Sequence, residues 1–435
     1  MRHASPPGSH KATTKPPQTR LRARTTATSA GDGAAAPPKR VVICGGGIVG
    51  AATAYYLATR KGVAPTLVER HEVAGAASGR AGGFLALDWN DSTPVGKLAR
   101  KSYELHKELA AAFGAEAIGY RPLDTLSVSA AAAAAAAPGA ARARARLDAP
   151  LPPWLDGAGV LRSGALGGRG TTAQVHPQKL TRALWGAAEA AGARLVRGAV
   201  KGVALDAARQ VTGVEVEGAG TLPADAVLIA MGPWSGQAAA WLAACPAVGG
   251  QKAHSCVLRP ASTAAAAAAA PAAGAGAGGG GVWSHAVFVS YRDASGETRE
   301  PEIYPRPDGS CYVCGENSDA PLPDDPAAVA PDSDAAISRI REVAGALASE
   351  LKTAELEAAS ACYLPITSDG LPFIGRVPGV RGAFIGAGHS CWGILNGPAT
   401  GLALAELIAD GAAASVNLAP FDPARGAGRH QYGAI

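Results

Sequence analysis

The residues richest in chemical meaning are the glycines of Gly45-Gly46-Gly47-Ile48-Val49-Gly50, which follow the spacing Gly-x-Gly-x-x-Gly. The run follows a continuous apolar segment, Val41 to Cys44, and precedes a helical one, Ala51 to Arg60. In that setting each glycine has a separate duty. Gly45 permits a tight turn, Gly47 lets backbone approach a pyrophosphate, and Gly50 lets the helix pack closely on the strand. The helix then aims its orphan N–H groups and positive dipole end at the phosphates. A second apolar strand ends in Glu69, 24 residues after Gly45. A carboxylate there suits both hydroxyls of an adenosine ribose and repels a 2′-phosphate. Strand, triplet, helix, strand and acid in register predict a dinucleotide-binding unit.

Other segments carry chemistry of their own. Ser78-Gly79-Arg80-Ala81-Gly82-Gly83-Phe84 offers clustered N–H groups and a hydroxyl, and lets the chain lie close to a flat ring. Ala226 to Ser235 reads as a buried strand delivering a turn at Gly232. Phe384-Ile385-Gly386-Ala387-Gly388-His389-Ser390-Cys391-Trp392-Gly393-Ile394 reads as a strand feeding a glycine loop, with Pro398 early in the next helix. That proline predicts a helix N-terminus, with its positive end, close to the loop. His389 either orients a ligand or packs the loop through backbone bonds, and Trp392 either walls a pocket or simply packs. Cys311 and Cys314 point to opposite faces of a strand and have no second pair, so no metal is expected. His176, just before Pro177, serves a helix entry.

These segments, together with Pro365-Ile366-Thr367-Ser368-Asp369-Gly370-Leu371-Pro372-Phe373-Ile374-Gly375, resemble the FAD motifs of the D-amino-acid oxidase, glycine oxidase and sarcosine oxidase superfamily. The resemblance runs from Val41 to Asp410 apart from two alanine-rich tracts, and is nearest to a eukaryotic branch without an assigned substrate. It implies FAD as cofactor. The implied contacts are Gly45, Gly47, Ile48, Gly50, Glu69 and Arg70, then Ser78, Gly79, Arg80 and Gly83. Val200, Gly232, Trp234, Gly388, Gly393 and Ile394 complete the set. A helix end near Pro398 would then stabilise charge at the N1/O2 edge of a reduced flavin.

The same resemblance implies oxidation of a C–N bond of an amino acid or amine by hydride transfer to flavin N5, with oxygen or another acceptor taking the electrons. Such chemistry needs placement of the substrate more than a strong base. His389 and Arg306 are the catalytic candidates. Many relatives grip a substrate carboxylate with an arginine five positions before the Asp of Thr-x-Asp-Gly, and here that position is Leu364. Arg306, in Tyr304-Pro305-Arg306-Pro307-Asp308-Gly309, either supplies a replacement fork or structures its turn against Asp308. Cys362 stands at the spacing where sarcosine-oxidase-like enzymes attach flavin through a thioether, or is a buried core cysteine. A second dinucleotide fingerprint and a Cys-x4-Cys pair are both missing, which argues against a pyridine-nucleotide disulfide reductase. Two alternatives stay open: a dehydrogenase passing electrons to a quinone or protein, and a flavoprotein with an assembly or scaffold role.

The elements that must hold these residues alternate in type. Helical spacing joins Leu98, Ser102, Leu105 and Leu109; Leu180, Leu184 and Ala188 behind Pro177; and Ile337, Ile340, Ala344, Leu347 and Leu351. Strands are predicted at Val41 to Cys44, Thr66 to Glu69, Val211 to Val216, Ala226 to Ala230, Cys311 to Cys314 and Ala383 to Ile385. The mixture predicts an α/β fold. A discontinuous Rossmann-like FAD-binding domain (41–87, 176–237 and 359–419) is expected beside a mixed or antiparallel-sheet substrate domain (88–175 and 238–358). Residues 130–146 and 261–281 read as low-complexity insertions, and 420–435 as a C-terminal tail.

Composition narrows the partners. Of 40 Lys and Arg against 35 Asp and Glu in 435 residues, residues 1 to 40 hold eight basic side chains and one acid. The body is therefore near neutral, which argues against a nucleic-acid partner and leaves a small-molecule substrate. Residues 1–38, with spaced arginines, Ser, Thr and Pro and no apolar run, predict a transit peptide or disordered leader, with chloroplast preferred over mitochondrion or cytoplasm. Seven scattered cysteines do not form a secreted disulfide framework. The charge-free stretch from Gly382 to Ala405 carries six glycines and a proline, so it reads as a loop feeding a helix and not as a membrane span.

Overall fold

A computed structural model describes residues 40–132, 146–157, 159–263 and 283–426. The leader, most of both alanine-rich tracts and the end of the tail lie outside the described residues.

Val41–Cys44 sits at the centre of a six-stranded sheet. Thr66–Glu69 and then Arg194–Arg197 extend it on one side; Ala226–Ile229, Ala383–Ala387 and Phe373–Arg376 extend it on the other. All neighbours run parallel except the last, which forms an antiparallel edge. Val41–Cys44 and Ala226–Ile229 are buried at every position, as a parallel sheet covered on both faces requires. Helices Ile48–Arg60, Pro177–Ala190 and Gly393–Ala409 cover one face, with Gly96–Phe113 packed against the last of these. A three-stranded meander, Val200–Leu205, Val211–Val216 and Gly220–Pro223, covers the other. Helices Ile48–Arg60 and Gly393–Ala409 touch through backbone: a Cβ on Gly401 would lie 2.5 Å from that of Ala52.

The second layer is a nine-stranded mixed sheet. Its order is Glu355–Ile366, Gly249–Arg259, Cys311–Ser318, Glu302–Pro305, His285–Arg292, Asp124–Ala131, Val160–Gly167 and Arg146–Leu147, with Thr298–Arg299 beside His285–Arg292. Register sorts its two faces. Val287, Ile303 and Val313 share one face and bury themselves with helix Asp334–Leu347. One residue along, Phe288 pairs with Glu302 and Glu302 with Cys314, while Tyr304 pairs with Tyr312, so these five share the opposite face.

The observed elements differ from sequence expectation where a partner strand or helix decides. Ala130 and Ala131, assigned to an insertion by composition, pair with Tyr291 and Arg292 at the end of strand Asp124–Ala131. Pro398, expected early in the helix after the glycine loop, lies in the second turn of helix Gly393–Ala409. All seven cysteines are unpaired. Among the described residues no helix is long and apolar enough to cross a membrane, and no group of three His, Cys, Asp or Glu side chains is placed to hold a metal.

Candidate active site

Gly45 takes φ +108°, and a Cβ there would lie 2.3 Å from the Ala230 carbonyl oxygen. A Cβ on Gly50 would lie 2.0 Å from the Gly45 carbonyl oxygen. Both positions therefore exclude any side chain for local reasons. Gly47 differs, because a Cβ there would meet only the Ser78 hydroxyl, at 3.2 Å. What its hydrogen preserves is open space at the start of helix Ile48–Arg60, whose first turn carries no acid and whose cap residue supplies no side-chain oxygen. The Ile48 N–H donates to Ser78 Oγ at 2.9 Å.

Glu69 closes the second strand with both oxygens engaged. Oε2 accepts the Gly46 N–H at 2.7 Å and Oε1 accepts the His71 N–H at 3.0 Å, which fixes the carboxylate beside the glycine turn. From there a cavity of about 530 Å³ opens, lined by Gly45, Gly47, Glu69, Arg70, Ser78 and Arg80, and across it by Val200, Gly232 and Trp234. Three of these side chains point their polar atoms into protein. Arg70 pairs with Asp325 at 3.0 Å, Arg80 donates to the Val329 and Ala361 carbonyls, and the Trp234 ring N–H donates to the Pro323 carbonyl at 2.7 Å. Gly50 and Gly79 do not line this cavity, and a Cβ on Gly79 would strike the Ala74 carbonyl oxygen at 1.9 Å. They shape the backbone from behind.

A second cavity, of about 470 Å³, adjoins the first and shares Gly47, Ser78 and Gly232 with it. Ile48, Gly83, Gly388, His389, Gly393 and Ile394 line this part, so the structure brings the early and late glycine loops to one place. Gly388 takes φ +87°, and a Cβ there would press on Thr367 at 2.4 Å. His389 is 5% exposed; its Nε2 lies 3.3 Å from the Thr400 hydroxyl and its Nδ1 has no partner. Burial pulls its pKa down to about 4, so the ring is neutral at pH 7. A neutral imidazole with a free nitrogen at the cavity wall is a group waiting for a ligand hydrogen bond.

The helix that carries this loop has a fault that another helix repairs. Pro398 has no N–H, so the Ile394 carbonyl loses its usual partner. His106, fully buried on helix Gly96–Phe113, places Nε2 at 3.0 Å from that carbonyl and 3.2 Å from the Leu395 carbonyl. Ser102, one turn earlier, accepts the Ala399 N–H at 3.0 Å. Sequence reading placed Ser102 on a helix face and gave His106 no part. A proline within a helix that lacks its own turn-closing bond was the available signal.

Arg306 and Cys362 fall in different surroundings. Arg306 is 8% exposed and lines neither cavity; its guanidinium stacks 5.1 Å over the Tyr312 ring, and Nη2 reaches the Ala81 carbonyl at 3.4 Å. Ser310, not Arg306, takes up Asp308, through its N–H at 3.0 Å and its hydroxyl at 2.7 Å. Cys362 and Leu364 both line the second cavity, as does Trp392. Cys314 faces the same cavity while Cys311 lies in the core on the other side of the sheet. His176 accepts the Lys179 N–H at the start of helix Pro177–Ala190.

Sequence reading missed the acid and the aromatic rings of this second cavity. Glu302 lies there with Phe84, Trp89, Phe288, Tyr304 and Tyr312. Phe84 closes the early glycine segment and Tyr304 opens the Arg306 turn, but Trp89, Phe288, Glu302 and Tyr312 stand in no motif, and register across three strands is what gathers Phe288, Glu302, Tyr304 and Tyr312.

Comparison with known proteins bears on the family and the fold. A Schizosaccharomyces pombe protein named as an oxidoreductase is 32% identical over 378 residues, 82% of this chain and 89% of the relative. The solved glycine oxidase of Geobacillus kaustophilus has the same fold, with a TM-score of 0.69 at 24% identity over 89% of this chain and 99% of its own. The L-proline dehydrogenase of P. horikoshii follows at 0.67 and 19% identity, covering 90% and 98%. A dinucleotide fits the residues present, because Gly45 and Gly47 leave backbone bare where pyrophosphate would lie, and His389 leaves a buried nitrogen unpaired where a ring would end. The family model described as FAD dependent oxidoreductase, the DAO family, matches residues 40–407, a span that takes in every strand of the parallel sheet and both glycine loops; the chain belongs to that family and is an enzyme that uses FAD.

Proposed function

We propose that this enzyme oxidises a C–N bond of a small amine or amino compound. One observation carries the reading. The cavity beside Gly388–Ile394 is walled by aromatic rings and joins the dinucleotide groove at Gly47, Ser78 and Gly232, so a flat ring at the end of the dinucleotide would face a compartment for a small molecule. FAD, when bound, supplies the hydride acceptor. The protein supplies placement: the aromatic wall excludes water, His389 offers its unpaired Nδ1, and the glycine loops hold the cofactor edge against the substrate. Glycine oxidase and proline dehydrogenase, which share the fold, are named for amino compounds, and this supports the same substrate class here.

The division of labour follows the sheets. Segments 41–87, 176–237 and 359–419 contribute the whole parallel sheet and are assigned to FAD; 88–175 and 238–358 contribute most of the large sheet and are assigned to the substrate. Strand Glu355–Ile366 crosses between them. The basic leader is read as an address to an organelle, a plastid first, and N-terminal sequencing of the mature protein checks it.

The test is anaerobic. Purified holoprotein is mixed with a panel of amino acids and of primary and secondary amines, and flavin bleaching is followed before oxygen is readmitted. Bleaching by members of the panel is expected. A purified protein without flavin, or a flavin that no amine bleaches, overturns the reading. Slow recovery in oxygen would favour the dehydrogenase alternative, with a quinone or protein as acceptor.

A further inference from the structure

The second cavity is electrically one-sided. Among the described residues that line it there is no lysine or arginine, and Leu364 is part of its apolar lining. Of its two histidines, His389 is neutral for the reason given above, and His254 is engaged at both nitrogens: Nδ1 bonds the Glu316 carbonyl, and Nε2 accepts the Asp332 N–H at 3.1 Å with the Asp332 carboxylate 3.4 Å away. The acids are Glu300, exposed at the edge, and Glu302, within.

Glu302 is held without a cation. Tyr304 and Cys314 both donate to its Oε2, at 2.5 and 3.5 Å, and no ion pair among the described residues includes it. Oε1 receives neither of these bonds. Burial pushes the Glu302 pKa up from the usual carboxylate range. A desolvated carboxyl with one satisfied oxygen gains from a positive partner.

Aromatic rings share the cavity with that carboxyl. Phe84 stacks on Tyr304 at 5.7 Å, and Phe288 meets Phe84 edge-on at 5.2 Å and Trp89 at 5.1 Å. Sheet register puts Phe288 directly beside Glu302. Ring faces around a carboxylate are the setting that attracts an organic ammonium, through the ring quadrupoles and the ion pair together.

We propose that Glu302 and the surrounding rings of Phe84, Trp89, Phe288 and Tyr304 form the receptor for an organic ammonium, so that the substrate is an amine, N-alkylated or primary, without a carboxylate. This rests on the reading of the cavity as a C–N oxidising site and names its substrate class. A substrate carboxylate would meet Leu364 on one side and Glu302 on the other, with no cation to receive it. An ammonium meets both of the forces that favour it.

Binding tests this apart from turnover. Holoenzyme is titrated with hexyltrimethylammonium, whose quaternary nitrogen has no lone pair to drive hydride loss, and with hexanol and hexanoate, reading the flavin spectrum and tryptophan fluorescence. The cation is expected to bind at least tenfold more tightly than hexanol, and hexanoate more weakly than either. Glu302→Gln should weaken the cation tenfold or more, leave hexanol within twofold and leave FAD content unchanged; Glu302→Asp should restore part of the loss. Preference for hexanoate, or equal cation binding by wild type and Glu302→Gln, overturns the proposal. Cation binding that depends on Glu302, with no amine able to bleach the flavin, supports this receptor and defeats the oxidation reading. Bleaching by amino acids that is indifferent to Glu302→Gln does the reverse.

Discussion

At one end of the groove the wall is backbone: Gly45 and Gly47 line it, Gly50 shapes it from behind, and neither Gly45 nor Gly50 has room for a Cβ. At the other end the wall is side chain: Phe288, Glu302 and Cys314 come from three strands that sheet pairing unites, and Phe84 and Trp89 join them from outside that sheet. The two ends respond to substitution in different ways. A backbone wall is specified by sterics at fixed spacing, so any side chain ruins it. A side-chain wall is specified by identity, so a substitution changes what is recognised and leaves the frame standing.

The largest effect should come from Gly50→Val. Its Cβ would enter the Gly45 carbonyl, and that backbone with the buried Ile43 side chain beside it leaves little room to yield. The expected outcome is loss of at least about 3 kcal/mol of stability, from overpacking and strain, and purification without flavin, read from the ratio of visible to ultraviolet absorbance. Glu302→Gln is the matching change at the other end and should keep a full complement of FAD. If Gly50→Val retained FAD, the contrast between the two walls would collapse.

That contrast also explains what the sequence could reveal. The strands Val41–Cys44 and Thr66–Glu69 match expectation to the residue, because a local apolar run and a local turn define them. The groove residues from Gly45 to Gly83, and Gly388 to Ile394, were legible for the same reason. Glu302 was not, since its meaning depends on Phe288 and Cys314 lying beside it, and nothing in the spacing of 288, 302 and 314 announces a pairing. Arg306 shows the opposite error. An arginine near a turn looked available to substrate, yet the structure stacks it on Tyr312 away from both cavities.

Next in size is His106→Ala, which tests how far the flavin loop depends on a neighbouring helix. Removing Nε2 leaves the Ile394 and Leu395 carbonyls without their donor and opens a hole at a fully buried site, for a loss of about 3 kcal/mol. Acid adds a signature. Burial holds His106 at about 4, below its ordinary 6.5. Above 6.5 neither folded nor unfolded chain binds the proton, and the residue contributes no pH dependence. Between 6.5 and 4 the unfolded chain binds it and the folded chain does not, so stability falls as pH falls, by up to about 3 kcal/mol at pH 4. His389 adds a similar fall over the same window. Urea unfolding from pH 7.5 to pH 5 should show this decline in the wild type, and His106→Gln, which keeps a donor and cannot titrate, should show a shallower one.

Arg306→Met separates packing from substrate recognition. The stack over Tyr312 and the bond to Ala81 should be worth about 1–2 kcal/mol, lost on substitution. Because Arg306 lines neither cavity, KM for whichever amine bleaches the flavin should change less than twofold. A tenfold rise in KM would return Arg306 to the substrate side and weaken the account of a wall without cations.

The smallest expected effect belongs to Cys362, which borders the second cavity and is 8% exposed. Attachment of flavin through its sulfur needs a thiolate, and burial pushes this thiol up to about 11, so only about one molecule in ten thousand is ionised at pH 7. Arg80 pulls the other way but spends Nη1 on the Val329 and Ala361 carbonyls. Cys362 should therefore behave as part of a packed wall. Acid precipitation should leave the flavin in the supernatant from both wild type and Cys362→Ser, with matching visible spectra before denaturation. A yellow pellet from the wild type alone would show that the side-chain end of the groove grips the cofactor as firmly as the backbone end does, and the division drawn between them would have to be redrawn at residue 362.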